Sequence, residues 1–113
     1  MKILIVEDDD PIRRAYLRWF KNHEVVELRS VATAISFLAK SNFCPDAILC
    51  DNDTGLGPRG IDFAKELSVS GFSGRFVLCS GSPELPYTVS NLDYKLITKP
   101  ASMKDVVAAI ENL

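Results

Sequence analysis

The sequence has no long apolar run. The one near its start, Ile3 to Val6, is cut off by Glu7-Asp8-Asp9-Asp10, too short for a membrane span or a secretion signal, so the cytoplasm is the expected compartment. Cysteine is scarce: Cys44, Cys50 and Cys79 fit neither metal-ligand spacing nor an even-numbered disulfide framework. Cys50 and Cys79 fall inside apolar runs and read as small core residues, and a redox pair is disfavoured where thiols stay reduced. The only histidine, His23, sits in a polar turn and reads as a surface residue, neither phosphodonor nor metal ligand. There is no excess of positive charge. A net charge of −2 gives no electrostatic reason to expect nucleic acid or an anionic membrane as partner. Internal repeats and low-complexity segments are also missing.

What is present suits one domain, residues 1–113, with the 47% apolar and 25% charged content of an ordinary globular core. If the chain is complete, it carries no output module of its own. Apolar runs at 2–6, 24–29, 46–50, 75–79 and 95–98 alternate with helical patterns, which predicts a parallel sheet with helices on both faces. The first helix is expected from Pro11 to Lys21, with Asp10 as N-cap and Ile12, Ala15, Tyr16, Trp19 and Phe20 facing the core. Leu17 falls off that stripe. A second helix is expected from Ser30 or Thr33, with Ala34, Ile35, Phe37 and Leu38 inward. A third runs from about Gly60 to Val69, burying Ile61, Phe63, Ala64 and Leu67. The last opens at Ser102 with Asp105 three places on, then Val106, Val107, Ala109 and Ile110. Between Ser80 and Tyr94 the prolines Pro83 and Pro86 oppose a regular helix, so the element between the fourth and fifth strands is expected to be short or irregular.

Three strand candidates end in functional groups. Glu7-Asp8 follows Ile3–Val6, Asp51 follows Ala47-Ile48-Leu49-Cys50, and Lys99 follows Leu96-Ile97-Thr98. Open parallel sheets bind ligands outside the carboxyl ends of their strands, so these groups are expected to meet. Three carboxylates there repel one another unless a divalent cation and the lysine neutralise them, an arrangement suited to magnesium-assisted phosphoryl acceptance. Taken singly, the acids before Pro11 also read as helix caps, Lys99 as a solvated strand end and Ser80 as a turn residue. Asp51 has no such alternative, because a carboxylate closing an apolar strand is costly if unpaired.

In order along the chain, Lys2-Ile3-Leu4-Ile5-Val6-Glu7-Asp8-Asp9-Asp10-Pro11-Ile12-Arg13, Pro45 to Asp51, Gly60-Ile61-Asp62, Val77-Leu78-Cys79-Ser80-Gly81 and Thr98-Lys99-Pro100 resemble the response-regulator receiver domains of two-component signalling. The resemblance covers essentially the whole chain. It implies a flavodoxin-like α/β fold, doubly wound, with strand order 2-1-3-4-5. It implies Asp51 as phosphoacceptor from a sensor histidine kinase or a histidine phosphotransfer protein. It also implies Mg2+, for which Mn2+ can substitute, held by Glu7, Asp8, Asp51 and the backbone carbonyl of Asp53. Ser80 and Lys99 would contact the phosphoryl group, the Lys99–Pro100 peptide would be cis, Ser82 would tune rates, and Asp53 would either tune rates or metal affinity or simply face water. Arg13, Arg14, Leu17 and the Pro100-Ala101-Ser102 turn are candidate docking points. No catalysis beyond the domain's own phosphorylation and dephosphorylation is expected, and the oligomeric state is expected to be monomer or weak dimer.

The chain also departs from that pattern. Leu96 stands where the family usually has a switching aromatic, and Tyr94, on the same strand face by period two, is the candidate substitute. The Ser80–Lys99 stretch is short and proline-rich. The loop after Asp51 has Gly55 where proline is common, and Asp53 adds a carboxylate. Two alternatives follow: a phosphorylation-independent pseudo-receiver, and a small phosphatase of the haloacid-dehalogenase type, which Asp51, Asp53, Ser80 and Lys99 imitate. In the latter family the nucleophile normally lies on the first strand.

Overall fold

The computed structural model describes residues 1–81 and 91–112. Its elements are β1 (Lys2–Val6), α1 (Asp10–Trp19), β2 (Glu24–Leu28), α2 (Val31–Lys40), β3 (Ala47–Asp51), α3 (Gly60–Ser70), β4 (Arg75–Ser80), β5 (Asp93–Thr98) and α4 (Met103–Glu111). The strands form one parallel sheet in the order β2-β1-β3-β4-β5, as expected. The expected short helix between β4 and β5 falls on residues 82–90, outside the described residues, as does Ser82.

Period-two alternation sorts the sheet's side chains into two cores. Ile3, Ile5, Ala47, Leu49, Val77 and Cys79 pack with Tyr16 and Phe20 of α1 and with Val106 and Ile110 of α4. Leu4, Val6, Ile48, Cys50, Phe76 and Leu78 pack with Val31 and Ala34 of α2 and with Ile61, Phe63 and Leu67 of α3. The central strands are therefore buried on both faces, which is why they read as unbroken apolar runs. Cys50 and Cys79 lie on opposite faces of the sheet, so they cannot bridge without moving the backbone. The three polar strand ends obey the same alternation. Glu7 follows Val6, Asp51 follows Cys50 and Lys99 lies two beyond Ile97, so all three belong to the α1/α4 face.

Caps explain the helix boundaries. Asp9, not Asp10, caps α1: its backbone is extended and its Oδ1 accepts from Ile12 N at 3.1 Å. Asp10 is instead the first helical residue, its carboxylate taken by Arg13 and Arg29. α1 also ends early, at Trp19, with Phe20 as C-cap, and the expected inward stripe was too wide. Trp19 is 51% and Ile12 36% exposed. Leu17 is half-buried. Ser30 and Ser102 cap α2 and α4, accepting from Thr33 N and Asp105 N at 3.1 Å each. His23 is no free surface side chain, since its Nε2 lies 2.8 Å from Glu111 Oε2 and its side chain is only 17% exposed.

α3 starts hard against β3. Gly60 N donates to Asn52 O at 3.0 Å, and a Cβ at residue 60 would meet Leu78 Cδ1 and lie 2.9 Å from the Asp51 carbonyl oxygen. A methyl group there pushes α3 off the end of the acceptor strand. Gly60→Ala is expected to destabilise the fold by about 1–3 kcal/mol, read as a lower urea midpoint at unchanged slope.

Candidate functional site

β1 delivers two acids to the top of the sheet. Glu7 is 2% exposed and Asp8 is exposed. The Glu7 main chain is held at both ends: its N–H donates to Leu28 O at 3.0 Å and its carbonyl accepts from Arg13 Nη1 at 3.2 Å. The Glu7 side chain accepts from Asp9 N through Oε2 at 3.3 Å.

β3 delivers Asp51, whose side chain is 11% exposed. The next residue, Asn52, fixes that strand end: its N–H donates to Cys79 O at 2.9 Å, and its Oδ1 accepts from Ile61 N at 3.1 Å. Sequence reasoning gave Asn52 no role, and its only signal was a polar residue wedged between an apolar strand and a glycine-rich loop.

β4 and β5 complete the site from the other side. Ser80, 3% exposed, ends β4 opposite Thr98. Its carbonyl accepts from Lys99 N at 2.7 Å, and the Lys99–Pro100 peptide is cis. Lys99 Nζ then reaches across to Asp51 Oδ1 at 2.8 Å. Burial works against the Lys99 ammonium, but the Asp51 hydrogen bond and the charges of Asp51 and Glu7 outweigh it and raise its pKa.

Glu7, Asp8 and Asp51 each place a carboxylate oxygen within 4.8 Å of the others. All donors are hard oxygens, as Mg2+ and Mn2+ prefer, and the group is negative in excess of the one lysine, so the residues fit a divalent cation. Behind them lies a pocket of about 470 Å³ walled by Ile12, Tyr16, Cys79, Met103 and Val106. Burial against these apolar walls, then the Asp51 charge, pushes Glu7 from 4.5 up to about 7. Burial likewise pushes the Cys79 thiol up to about 11, which leaves it protonated and inert.

The other predicted side chains make contacts of their own. Asp53 is exposed, and its Oδ1 accepts from Gly55 N at 3.2 Å, a turn contact within its own loop. Thr54 is buried, and its Oγ1 has no hydrogen-bond partner among the described residues. Leu96 and Tyr94 both pack on the α2/α3 core, sharing a strand face. Tyr94 stacks on Phe76 with ring centroids 6.1 Å apart, and the two residues are register partners. That places it four residues, roughly 13 Å of strand, below the Ser80–Thr98 pair.

Glu7 makes stability pH-dependent. Between 4.5 and about 7 the folded chain keeps a proton that the unfolded chain has released, so stability falls as pH rises through that window. Chemical denaturation without divalent ions is expected to show a loss of about 1–2 kcal/mol across it, discounted for solvent screening, and Glu7→Gln to flatten the slope.

No family model and no curated protein matches the sequence. Solved structures match it throughout. The N-terminal domain of a response regulator/sensory box/GGDEF three-domain protein from Carboxydothermus hydrogenoformans is 20% identical, with a TM-score of 0.80 over 99% of this chain and 92% of that one. The receiver domain of the Francisella response regulator 1452 gives 19% and 0.81, over 98% and 93%. The Thermotoga maritima response regulator TrrA, solved in complex with Mg2+ and BeF, gives 16% and 0.79, over 98% and 96%. The chain thus has the fold of response-regulator receiver domains, a five-stranded parallel sheet in the order 2-1-3-4-5.

Proposed function

We propose that the chain is a two-component receiver that takes a phosphoryl group onto Asp51 from a phosphohistidine on a sensor kinase or phosphotransfer protein. The observation that carries this reading is the Asp51 carboxylate, held at the end of the central strand by Lys99 at 2.8 Å and grouped with Glu7 and Asp8. In the transfer, an Asp51 oxygen attacks phosphorus in line. The new O–P bond forms as the donor's N–P bond breaks, and the electron pair returns to the imidazole. Glu7, Asp8, Asp51 and the Asp53 carbonyl would hold Mg2+, which when bound offsets charge on acceptor and donor oxygens.

Lys99 first orients the Asp51 carboxylate through its 2.8 Å contact, then turns its ammonium to a phosphoryl oxygen once that carboxylate is phosphorylated. Ser80, at the adjacent strand end, donates its hydroxyl to another. The consequence is a local charge change that alters which partners the surface accepts. Asp53 offers the haloacid-dehalogenase alternative little support, because its carboxylate serves its own turn.

Incubation with acetyl phosphate and Mg2+ is expected to add one phosphoryl group by intact-protein mass spectrometry to the wild type and none to Asp51→Asn. A wild type of unchanged mass leaves the phosphorylation-independent interaction module as the better reading.

A further inference from the structure

We propose that Arg13 is a positioning residue for the cation site, setting the acidic loop through the main chain of Glu7 without touching metal or phosphoryl group. The inference rests on the phosphoacceptor reading above. The Arg13 side chain is 12% exposed, and its three guanidinium nitrogens reach three elements. Nη1 donates to the Glu7 carbonyl at 3.2 Å at the end of β1, and Nη2 donates to Asp10 Oδ1 at 2.6 Å in the first turn of α1. Nε lies 3.5 Å from Glu27 Oε1 on β2. A guanidinium offers these donors in one rigid plane, which a lysine cannot reproduce. Arg29 Nη1, 2.9 Å away, shares the same Asp10 oxygen.

The carbonyl that Arg13 holds belongs to the peptide joining Glu7 to Asp8. Fixing that peptide plane sets the directions in which both acidic side chains leave the chain. Ionised together, as cation binding requires, three carboxylates with oxygens within 4.8 Å of one another repel, and a turn of this peptide would splay them. Arg13 blocks that turn before any cation arrives, so the binding geometry is prepared in advance. The sign of the effect distinguishes positioning from charge. A guanidinium near a cation site weakens cation binding by repulsion alone, so removing a merely electrostatic Arg13 would tighten it. Removing a positioning Arg13 weakens it.

Calorimetric titration of the full chain with Mg2+ tests this on the wild type, Arg13→Gln and Glu27→Gln. Arg13→Gln is expected to raise the dissociation constant roughly tenfold, and Glu27→Gln, which only loosens the brace, two- to threefold. With acetyl phosphate, the Mg2+ concentration for half-maximal phosphorylation should rise more than the rate at saturating Mg2+ falls. An Arg13→Gln constant within twofold of the wild type, or a tighter one, overturns the inference. If Arg13→Gln does not fold, Glu27→Gln decides it, and unchanged affinity there overturns it. A wild type that takes up no Mg2+ sinks the phosphoacceptor reading itself, a result distinct from wild-type uptake that Arg13→Gln leaves unaltered.

Discussion

Like charge gathered at the end of a buried sheet is the constraint around which this molecule is organised. Glu7, Asp8 and Asp51 are close enough to repel strongly, and apolar walls behind them weaken solvent screening. Among the described residues, Lys99 is the cation that contacts them, through Asp51. The rest of the local architecture resists the repulsion mechanically. Leu28 and Arg13 hold the Glu7 main chain, Asn52 ties the acceptor strand to β4 and α3, and Ser80 anchors the backbone of Lys99. Ionised together without a counterion these groups are unfavourable, and a proton on Glu7 relieves them below about pH 7.

A parallel sheet and the convergence of Glu7, Asp51 and Lys99 were legible in the residues because strands buried on both faces admit few other readings, whereas the strand order came only from the resemblance to receiver domains. Ile3–Val6 and Ala47–Cys50 are too short and too apolar for amphipathic helices, and each stops on a charge. Helix edges were less legible. Four consecutive acids, Glu7 to Asp10, offer two adjacent N-cap candidates, and what separates Asp9 from Asp10 is that Arg13 and Arg29 claim the latter. Arg29 comes from the far end of β2, so no local pattern shows it. The same holds for Arg13, which reads as one more exposed helical cation until β2 is laid beside β1. Trp19 and Ile12 were misjudged because a stripe of apolar residues at helical spacing does not reveal where the neighbouring helix stops covering it.

The departures around β5 acquire a physical meaning from register. Leu96 packs on the α2/α3 core without a polar group to exchange between burial and water. Tyr94 does carry one, yet its hydroxyl is buried without a partner among the described residues, and its ring stacks on Phe76. Burial holds its pKa above the ordinary phenol value. It stands near the opposite end of the strand from the acceptor. A rotation of this ring would begin four residues along the strand from the Ser80–Thr98 pair beside the acceptor.

Glu7, Asp51 and Lys99 all project toward the side of the sheet that α1 and α4 cover, while α2 and α3 sit behind a double-sided wall of Leu, Ile and Phe. The hollow of about 470 Å³ lies on that same flank, walled by Ile12 and Tyr16 of α1 and by Met103 and Val106 of α4, with Glu7 and Lys99 also lining it. The acidic cluster therefore has a largely apolar cavity for a neighbour on one side, so part of its surroundings is hydrocarbon and not bulk water.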